Sequence, residues 1–288
     1  MNGILLIDKP RDWTSHDVVA KLRGIYHERR IGHSGTLDPM ATGLLVVFLG
    51  RATRAVEFAE ADEKEYVAAL RLGVTTDTQD ITGNVLRSSD EIPDENALRR
   101  ALSHFCGEID QIPPMYSAIK KDGKKLYELA RKGMEVERQA RRITIRELEL
   151  VGRKADGDYV IRINCSKGTY VRTLCHDIGE HLGCGACMTE LRRTSAGVFG
   201  ISEAYTLAGI QSMEDPAAAL IPVDALFADK PMLNLPEKAV RLVRNGNSVP
   251  MDSLNDGEYR VYGPEGEFLM LGRGENGVLR TIKSFFEV

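Results

Sequence analysis

The chain has 288 residues, with 42 acidic and 38 basic side chains and a formal net charge of −4. A hydrophobic fraction of 43% beside 28% charged residues is typical of globular proteins and excludes a disordered or fibrous chain. The mild net acidity argues against a protein that coats polyanions with its whole surface. It leaves room for a local basic site, because binding follows the distribution of charge.

The first fifty residues predict two strands and a helix around a polar loop. Gly3–Asp8 is predicted to be a short buried strand, and Thr14 and Ser15 are candidate N-caps of the helix that follows. Residues 30–39 predict a loop, and Gly43–Leu49 predicts a second apolar strand.

The middle of the chain mixes strands and helices with long connections. This mixture favours an α+β domain built on a largely antiparallel sheet. The predicted elements are a strand at Tyr66–Leu72, a turn at Asp77–Gly83, a helix at Asp94–Phe105, strands at Ile143–Val151 and Tyr159–Asn164, and a helix from Tyr170 to about Gly183.

The last sixty residues have a different pattern. A helix at Leu235–Val243 precedes short strands separated by turn residues, which is typical of a small barrel-like module. We therefore predict a large domain at 1–230 and a small β-rich domain at 231–288.

The N-terminus has only the short apolar run Ile4–Ile7 before the charged Asp8, which is too short for a secretory signal. No stretch approaches the ~20 apolar residues of a membrane span. Five cysteines cannot all pair within the chain, so we expect no disulfide framework and a cytoplasmic location without membrane contact.

Positive charge is concentrated between residues 120 and 146. This segment carries ten basic and four acidic side chains, a net charge of +6 against −10 for the rest of the chain. Tyr116 and Tyr127 add aromatic character beside it. The pattern suits a surface that faces RNA phosphates and unpaired bases, and it equally suits a solvated helix of mixed charge.

Residues 32–43 concentrate reactive groups between apolar elements, with the sequence Gly-His-Ser-Gly-Thr-Leu-Asp-Pro at 32–39. Catalytic groups concentrate in such loops, although Asp38-Pro39 is also ordinary turn chemistry. The loop is not a Walker phosphate loop, because Gly35 is followed by Thr36 and Leu37 instead of Lys and Ser or Thr.

The loop closely resembles the signature of the bacterial tRNA pseudouridine-55 synthases, the TruB family. Further motifs resemble the family's in the same order across about the first 200 residues. They are Ile4–Pro10, Lys64–Tyr66 with Leu72-Gly73 and Thr76–Asp80, Ile112–Ala118 with Lys125–Tyr127, Lys167–Thr173, and Leu191–Arg193.

This resemblance implies the pseudouridine synthase fold and the isomerisation of uridine-55 in the T-loop of tRNA. The reaction involves no redox step or group transfer, so no nicotinamide, ATP or metal is expected. The family also implies a stand-alone enzyme, expected to be a monomer, whose partner is the T-arm of tRNA. The last strands match the position of the family's RNA-binding PUA-type module.

By resemblance, Asp38 is the catalytic carboxylate, acting on the ribose, on the uracil or as a base. Arg172 matches the arginine that pairs with it. Tyr66 matches the aromatic residue that stacks on the target uracil and is placed for proton removal at C5. Tyr170 and Leu191 match positions that line the pocket.

The remaining predicted contacts concern the RNA. His33 matches the residue that fills the space vacated by the extruded uridine, and Lys9, Asp80 and Arg30 are predicted to support the site or bind phosphates. The segment at 120–146 matches a mobile clamp that closes on the T-arm, and its predicted RNA contacts are Lys121, Lys124 and Lys125.

Cys184-x-x-Cys187, with Cys175, His176 and His181, has partial zinc-ligand spacing. Because the other half of a four-ligand set is irregular, we favour buried thiols around a helix end and predict no metal site.

Two other functions share this scaffold. One is an RNA-guided pseudouridine synthase of the dyskerin type, which works with accessory proteins. The other is a non-catalytic protein that binds or folds tRNA. The presence of Asp38, Tyr66 and Arg172 together argues against the non-catalytic alternative.

Overall fold

A computed structural model describes residues 1–60, 63–121 and 123–286. Its strands in those ranges are β1 (Gly3–Lys9), β2 (Ile31–Ser34), β3 (Thr42–Leu49), β4 (Lys64–Leu72), β5 (Val74–Thr76), β6 (Val85–Ser88), β7 (Gly107–Gln111), β8 (Lys120–Lys121), β9 (Lys124–Lys125), β10 (Arg141–Arg153), β11 (Tyr159–Cys165), β12 (Ala186–Ala196), β13 (Phe199–Gly200), β14 (Met232–Asn234), β15 (Val249–Pro250), β16 (Gly257–Tyr262), β17 (Phe268–Glu275) and β18 (Val278–Ser284).

Helices cover this sheet framework and connect its strands. The α-helices in the described residues are α1 (Ser15–Tyr26), α2 (Val56–Glu60), α3 (Glu95–His104), α4 (Leu126–Ala130), α5 (Val171–His181), α6 (Leu207–Ser212) and α7 (Glu237–Arg244). Short 3₁₀ helices occupy Gly50–Ala55, Ile201–Glu203, Pro216–Ala219 and Val223–Phe227.

The large domain is organised on a nine-stranded sheet, counted over the described residues. Its main path is β1-β3-β12-β4-β11-β10-β7, with β2 paired to β3 and β13 paired to β12. The pairings are antiparallel except where β12 runs parallel to β3. The predicted α+β class with a largely antiparallel sheet is therefore confirmed.

Two hydrophobic clusters lie on the two halves of this sheet. One packs α3 and α5 on β4, β10, β11 and β12, and it includes Leu98 and Leu174. Another packs α1 on β1 and β3, through Val18 and Leu22. Burial of these apolar faces stabilises the sheet and keeps its centre rigid.

The C-terminal residues form a separate five-stranded sheet in the order β14-β16-β17-β18-β15. Helix α7 packs on it through Val240 and Val243. This is the β-rich region expected from the sequence. Its predicted boundary at residue 230/231 stays a prediction.

Four local expectations need correction. Residues 31–34 are the strand β2 and not loop, because they pair with β3 from Ile31–Leu49 to Ser34–Val46. Strand β12 was not predicted, since its charged residues break any apolar alternation. Thr14 caps α1 through Asp17, so Ser15 is free for another contact.

The fourth correction concerns the segment at 120–146. Its last six residues belong to β10, where Ile143 and Ile145 are buried in the main core. A mobile clamp cannot include residues fixed in the central sheet. The remainder, 120–140, contains the small hairpin β8–β9 and α4, and its Asp122 lies outside the described residues. No α-helix among the described residues is long and apolar enough to cross a membrane.

Candidate active site

The loop between β2 and β3 carries Asp38, and its backbone is fixed at several points. The Ser15 hydroxyl accepts a hydrogen bond from the Leu37 N–H at 2.9 Å. The Pro39 carbonyl accepts one from the Asp12 N–H at 2.8 Å. Gly35 begins the loop with a φ of 70°, a conformation that glycine adopts without steric cost. These bonds hold the Asp38 carboxylate in one position.

Arg172 and Asp38 form the ion pair at the centre of the site. Arg172 lies in the first turn of α5, and its Nη2 is 3.0 Å from Asp38 Oδ2. The same nitrogen donates to the Tyr116 carbonyl at 2.8 Å. The structure therefore brings together the predicted carboxylate and its predicted partner, 134 residues apart in sequence.

Asp80 is a second carboxylate near Arg172, with Oδ2 3.7 Å from Arg172 Nη1. Its other oxygen accepts hydrogen bonds from the Thr78 hydroxyl at 2.9 Å and from the Thr82 N–H at 2.9 Å. Asp80 is buried and occupied by these donors, so it supports Arg172 instead of facing a substrate.

The environment of Asp38 pulls its pKa in opposite directions. Burial raises the pKa above the ordinary carboxyl value, and the nearby charge of Asp80 adds to that effect. Arg172 and Lys9 oppose it by favouring the ionised form. Without Arg172, Asp38 would therefore hold its proton to a still higher pH.

Tyr66 lies on β4, buried, in the same hydrophobic cluster as Leu37 of the Asp38 loop. Burial raises the pKa of its hydroxyl, while the neighbouring Arg193 lowers it. Leu191 belongs to the same cluster. Tyr66 is near enough to Asp38 for the charge of Asp38 to act on its hydroxyl, and Leu191 shares a cluster with Tyr66 and Leu37.

Tyr170 is the N-cap residue of α5 and precedes Val171 and Arg172 in the chain. Its N–H donates to the Gln111 side-chain oxygen at 2.8 Å, and its carbonyl accepts from the Gln111 amide at 3.1 Å. Gln111 is the last residue of β7, so this pair fixes the start of α5 against the sheet edge.

Lys9 is fully buried at the end of β1. Its Nζ donates to the carbonyls of Pro10 at 2.8 Å, Trp13 at 2.6 Å and Pro39 at 3.3 Å. Burial lowers its pKa to about 8, while Asp38 opposes that shift. Lys9 therefore supports the loop and does not present its charge to RNA.

His33 and Arg30 lie at different distances from the centre. His33 is half-buried on β2, and burial lowers its pKa. Its Nδ1 is buried and has no hydrogen-bond partner among the residues that the structure describes. A neutral imidazole follows from these facts. Arg30 lies just before β2 and donates from Nε to the Thr53 hydroxyl at 2.8 Å, so the structure does not bring it to Asp38.

The three lysines predicted to contact RNA lie on the β8–β9 hairpin. Lys121 Nζ donates to the Glu137 carbonyl at 2.7 Å, and Lys124 is exposed. Lys125 Nζ lies 5.4 Å from the centre of the Tyr127 ring. A small cluster centred on Leu126 packs against Tyr116, whose carbonyl binds Arg172, so the segment is linked to the ion pair.

The cysteine and histidine cluster around α5 does not form a ligand set. Cys175, Cys184 and Cys187 are buried, which confirms the buried thiols, and His181 instead stacks on His104 at 4.7 Å. Within residues 1–60, 63–121 and 123–286, no group of three or more His, Cys, Asp or Glu side chains is placed to hold a metal.

Sequence reasoning missed two residues of the site, Arg193 and Ser15. Arg193 belongs to a motif that was noticed, but only Leu191 was taken from it. Ser15 was interpreted as a helix cap, and its contact is instead with Leu37, 22 residues away. Local sequence carries no signal for contacts of that kind.

Comparison with known proteins gives matches along almost the whole chain. Residues 23–171 match the family model of the TruB family pseudouridylate synthase N-terminal domain. Residues 172–228 match the tRNA pseudouridylate synthase B C-terminal domain, and residues 231–282 match the C-terminal model of pseudouridine synthase II TruB.

Curated relatives agree with these models. A tRNA pseudouridine synthase B of Aromatoleum aromaticum is 45% identical over 283 residues, which cover 97% of this chain and 91% of that protein. One of Burkholderia mallei is 44% identical, covering 97% of this chain and 95% of that protein.

Solved structures support the same fold. A Cbf5–Nop10–Gar1 complex contains a chain that matches with a TM-score of 0.73 and 28% identity, covering 99% of this chain and 85% of that one. An H/ACA ribonucleoprotein bound to a substrate RNA containing 2′-deoxyuridine matches with a TM-score of 0.72 and 26% identity, with the same coverage of both chains.

Proposed function

The chain belongs to the TruB family of pseudouridylate synthases, and on that premise we propose that Asp38, Tyr66 and Arg172 isomerise uridine-55 in the T-loop of tRNA. As a tRNA pseudouridine synthase, the protein converts uridine to pseudouridine. The N1 glycosidic bond breaks, the uracil turns, C5 bonds to C1′, and the C5 proton leaves while N1 gains one. The observation that carries the assignment of residues is the Arg172–Asp38 ion pair beside Tyr66.

A single reactive carboxylate suits this isomerisation. Glycoside hydrolysis usually needs two facing carboxyl groups with a water between them. Here the second carboxylate, Asp80, is bonded to Thr78 and Thr82 and supports Arg172. Asp38 is left as the group that acts on the ribose or the uracil, and Arg172 favours its ionised form, which attack or proton removal requires.

The target base must leave the T-loop stack before Asp38 can reach it. We assign Tyr66 to stacking on the extruded uracil and to C5 proton removal, with Tyr170 and Leu191 lining the pocket. His33, a neutral half-buried ring on the strand before the loop, would occupy the vacated space.

The remaining proposals concern the partner. Residues 120–140 would clamp the T-arm through Lys121, Lys124 and Lys125, and the module at 231–288 would bind RNA beside the domain at 1–230. The clamp is linked to Arg172 through the Tyr116 carbonyl, so RNA binding and the active site share a contact. We propose that the enzyme works as a monomer in the cytoplasm, without a protein partner.

The test is incubation with an unmodified tRNA transcript, followed by mapping of pseudouridine. Wild-type protein should modify one T-loop uridine without other proteins. Asp38→Asn should still bind the transcript, but its single-turnover rate should fall by more than about 1,000-fold, because the reacting carboxylate is lost.

Asp90→Asn is the matched control, since Asp90 is exposed and its substitution removes the same charge. It should retain the wild-type rate. Modification at another site, a requirement for a guide RNA, or full activity of Asp38→Asn would contradict the proposal.

A further inference from the structure

Arg193 is the largest fully buried side chain of the described residues, with 1% of its surface exposed. It lies on β12 between two functional elements of the site. Across one strand pair it is directly opposite Tyr66 on β4, and across the other it is beside Gly43 on β3. Directly opposed residues have Cβ atoms about 5 Å apart, so Arg193 and Tyr66 are neighbours on one face of the sheet.

The hydrogen bonds of Arg193 go to backbone carbonyls at both ends of the Asp38 loop. Its Nε donates to the Leu44 carbonyl at 2.6 Å, and its Nη2 donates to the Gly35 carbonyl at 3.0 Å. A Cβ on Gly35 would lie 3.1 Å from Arg193 Nη1, so the guanidinium also limits what residue can start the loop. Arg193 therefore ties the Asp38 loop to the strand that faces Tyr66.

No carboxylate within the described ranges forms an ion pair with Arg193. The ion pair of Asp38 is with Arg172, and the adjacent Arg192 points to the opposite face, where its Nη2 is 2.7 Å from Asp8 Oδ2. A buried charge without a counter-charge costs several kcal/mol. This cost is accounted for if the cation stabilises a negative charge that forms in the site during the reaction.

The group that can take on this charge is the Tyr66 hydroxyl. Burial raises the pKa of this hydroxyl above its ordinary value, Cys165 and Asp38 add to that shift, and Arg193 is the group that opposes it. Burial lowers the pKa of Lys9 and of His33, and the nearby Arg193 adds to that effect in both. In each case the effect is that of a nearby positive charge.

We propose that Arg193 is a positioning residue for the removal of the C5 proton. It fixes the Tyr66 oxygen relative to the Asp38 loop and stabilises Tyr66 as a tyrosinate. This inference rests on the proposed function. The tyrosinate oxygen takes the C5 proton, and the electron pair of the C5–H bond forms the C5–C6 double bond. The N1–C6 π pair moves to N1, which takes a proton from water. Tyr66 becomes a neutral phenol and later returns its proton to water.

The experiment compares Arg193→Gln, which keeps donors but loses the charge, with Arg193→Lys, which keeps the charge. Single-turnover rates are measured with tRNA that carries 5-deuterouridine or ordinary uridine at the target position. The single-turnover rate of Arg193→Gln should be about 100-fold below that of wild type and should rise with pH. It should also show a primary isotope effect from deuterium at C5. Arg193→Lys should be within about tenfold of wild type and show no such isotope effect.

Arg192→Gln is the control on the same strand and should keep the wild-type rate and isotope effect. Thermal unfolding and tRNA affinity report whether each variant is folded. If Arg193→Gln does not fold, the test is the pH–rate profile of the otherwise wild-type enzyme with 3-fluorotyrosine at position 66. Its more acidic phenol should move the pH–rate profile to lower pH.

Equal losses in the two variants without an isotope effect would overturn the inference, as would an unchanged profile with 3-fluorotyrosine. Failure of the proposed function is a separate result, because the wild-type enzyme would then form no pseudouridine at uridine-55.

Discussion

Among the described residues, the fully buried cations Lys9 and Arg193 donate hydrogen bonds to backbone carbonyls. Lys9 binds three of them, and one belongs to Pro39, next to Asp38. Each cation contributes hydrogen bonds that order the loop and carries the desolvation cost of a buried charge. For Lys9 that cost lowers the pKa from 10.5 to about 8.

The lowered pKa of Lys9 predicts a pH-dependent stability. Between pH 8 and 10.5 the unfolded chain still binds the proton that the folded protein has released, so the free energy of unfolding rises with pH. In urea unfolding of the RNA-free protein, the stability of wild type relative to Lys9→Met should increase by about 1–2 kcal/mol between pH 7.5 and 9.5.

Lys21→Met is the control for this measurement, because Lys21 is exposed on α1. The stability difference between wild type and Lys21→Met should not change over that interval. A constant difference between wild type and Lys9→Met would show that the Lys9 pKa is not lowered.

At the scale of elements, β12 joins the two halves of the large sheet. It pairs with β4 over most of its length, but with β3 only at Arg192–Thr42 and Arg193–Gly43. The backbones approach closely there. Gly43 has a φ of 102°, and a Cβ on it would lie 2.3 Å from the Arg193 carbonyl oxygen. Only glycine fits this junction without backbone movement.

We expect Gly43→Ala to lower the free energy of unfolding by about 3–5 kcal/mol, because rigid backbone atoms cannot yield to the added methyl group. The rate of isomerisation should also decrease, because Arg193 and the Asp38 loop are in contact at this junction. Chemical denaturation and the single-turnover assay measure the two effects.

Gly24→Ala provides the contrast, since a Cβ on Gly24 in α1 would contact nothing within 4 Å. There alanine should raise stability by about 0.5–1 kcal/mol, through its higher helix propensity. Equal effects of the two substitutions would refute the close approach at Gly43.

At the scale of the molecule, one hydrophobic cluster is shared by the large sheet and the C-terminal module. Leu6 and Phe48 of the large sheet belong to the same cluster as Leu271 and Phe285 of the module. Phe227, in the connection, packs between them, with its ring centre 6.1 Å from that of Phe285. A shared apolar core makes the two parts unfold together.

Removal of the Phe227 ring tests this coupling. Phe227→Ala should cost about 3–5 kcal/mol and still show a single thermal transition at a lower temperature. Calorimetry of the full chain reports both quantities. Two separated transitions in the wild-type protein would contradict a shared core.

Leu242→Ala is the matched truncation, because Leu242 is a large apolar residue of α7 that is 40% exposed. Its effect on the transition temperature should be small, since exposed apolar surface contributes little to stability.

Local sequence alone was enough to predict the elements whose apolar periodicity is complete. Strands β1 and β3 and helices α3 and α5 lie within two residues of their predicted bounds, and α1 begins at the predicted cap. The two strands are continuous apolar runs, and the helices bury one face that repeats at helix spacing. The motif order also indicated the family and the residues Asp38, Tyr66 and Arg172, since these occur in unusual local patterns. The roles assigned to these residues remain proposals for the transcript assay.

Only the tertiary structure decided the contacts that bring distant residues together. Strand β12 had no readable alternation, because its buried Arg193 is stabilised by carbonyls from another part of the chain. Likewise Ser15 contacts Leu37, and residues 141–146 pair with β7 in the sheet instead of joining the predicted clamp. Short-range patterns record the propensity and periodicity of one segment, whereas burial of a charge depends on which partners the fold places around it.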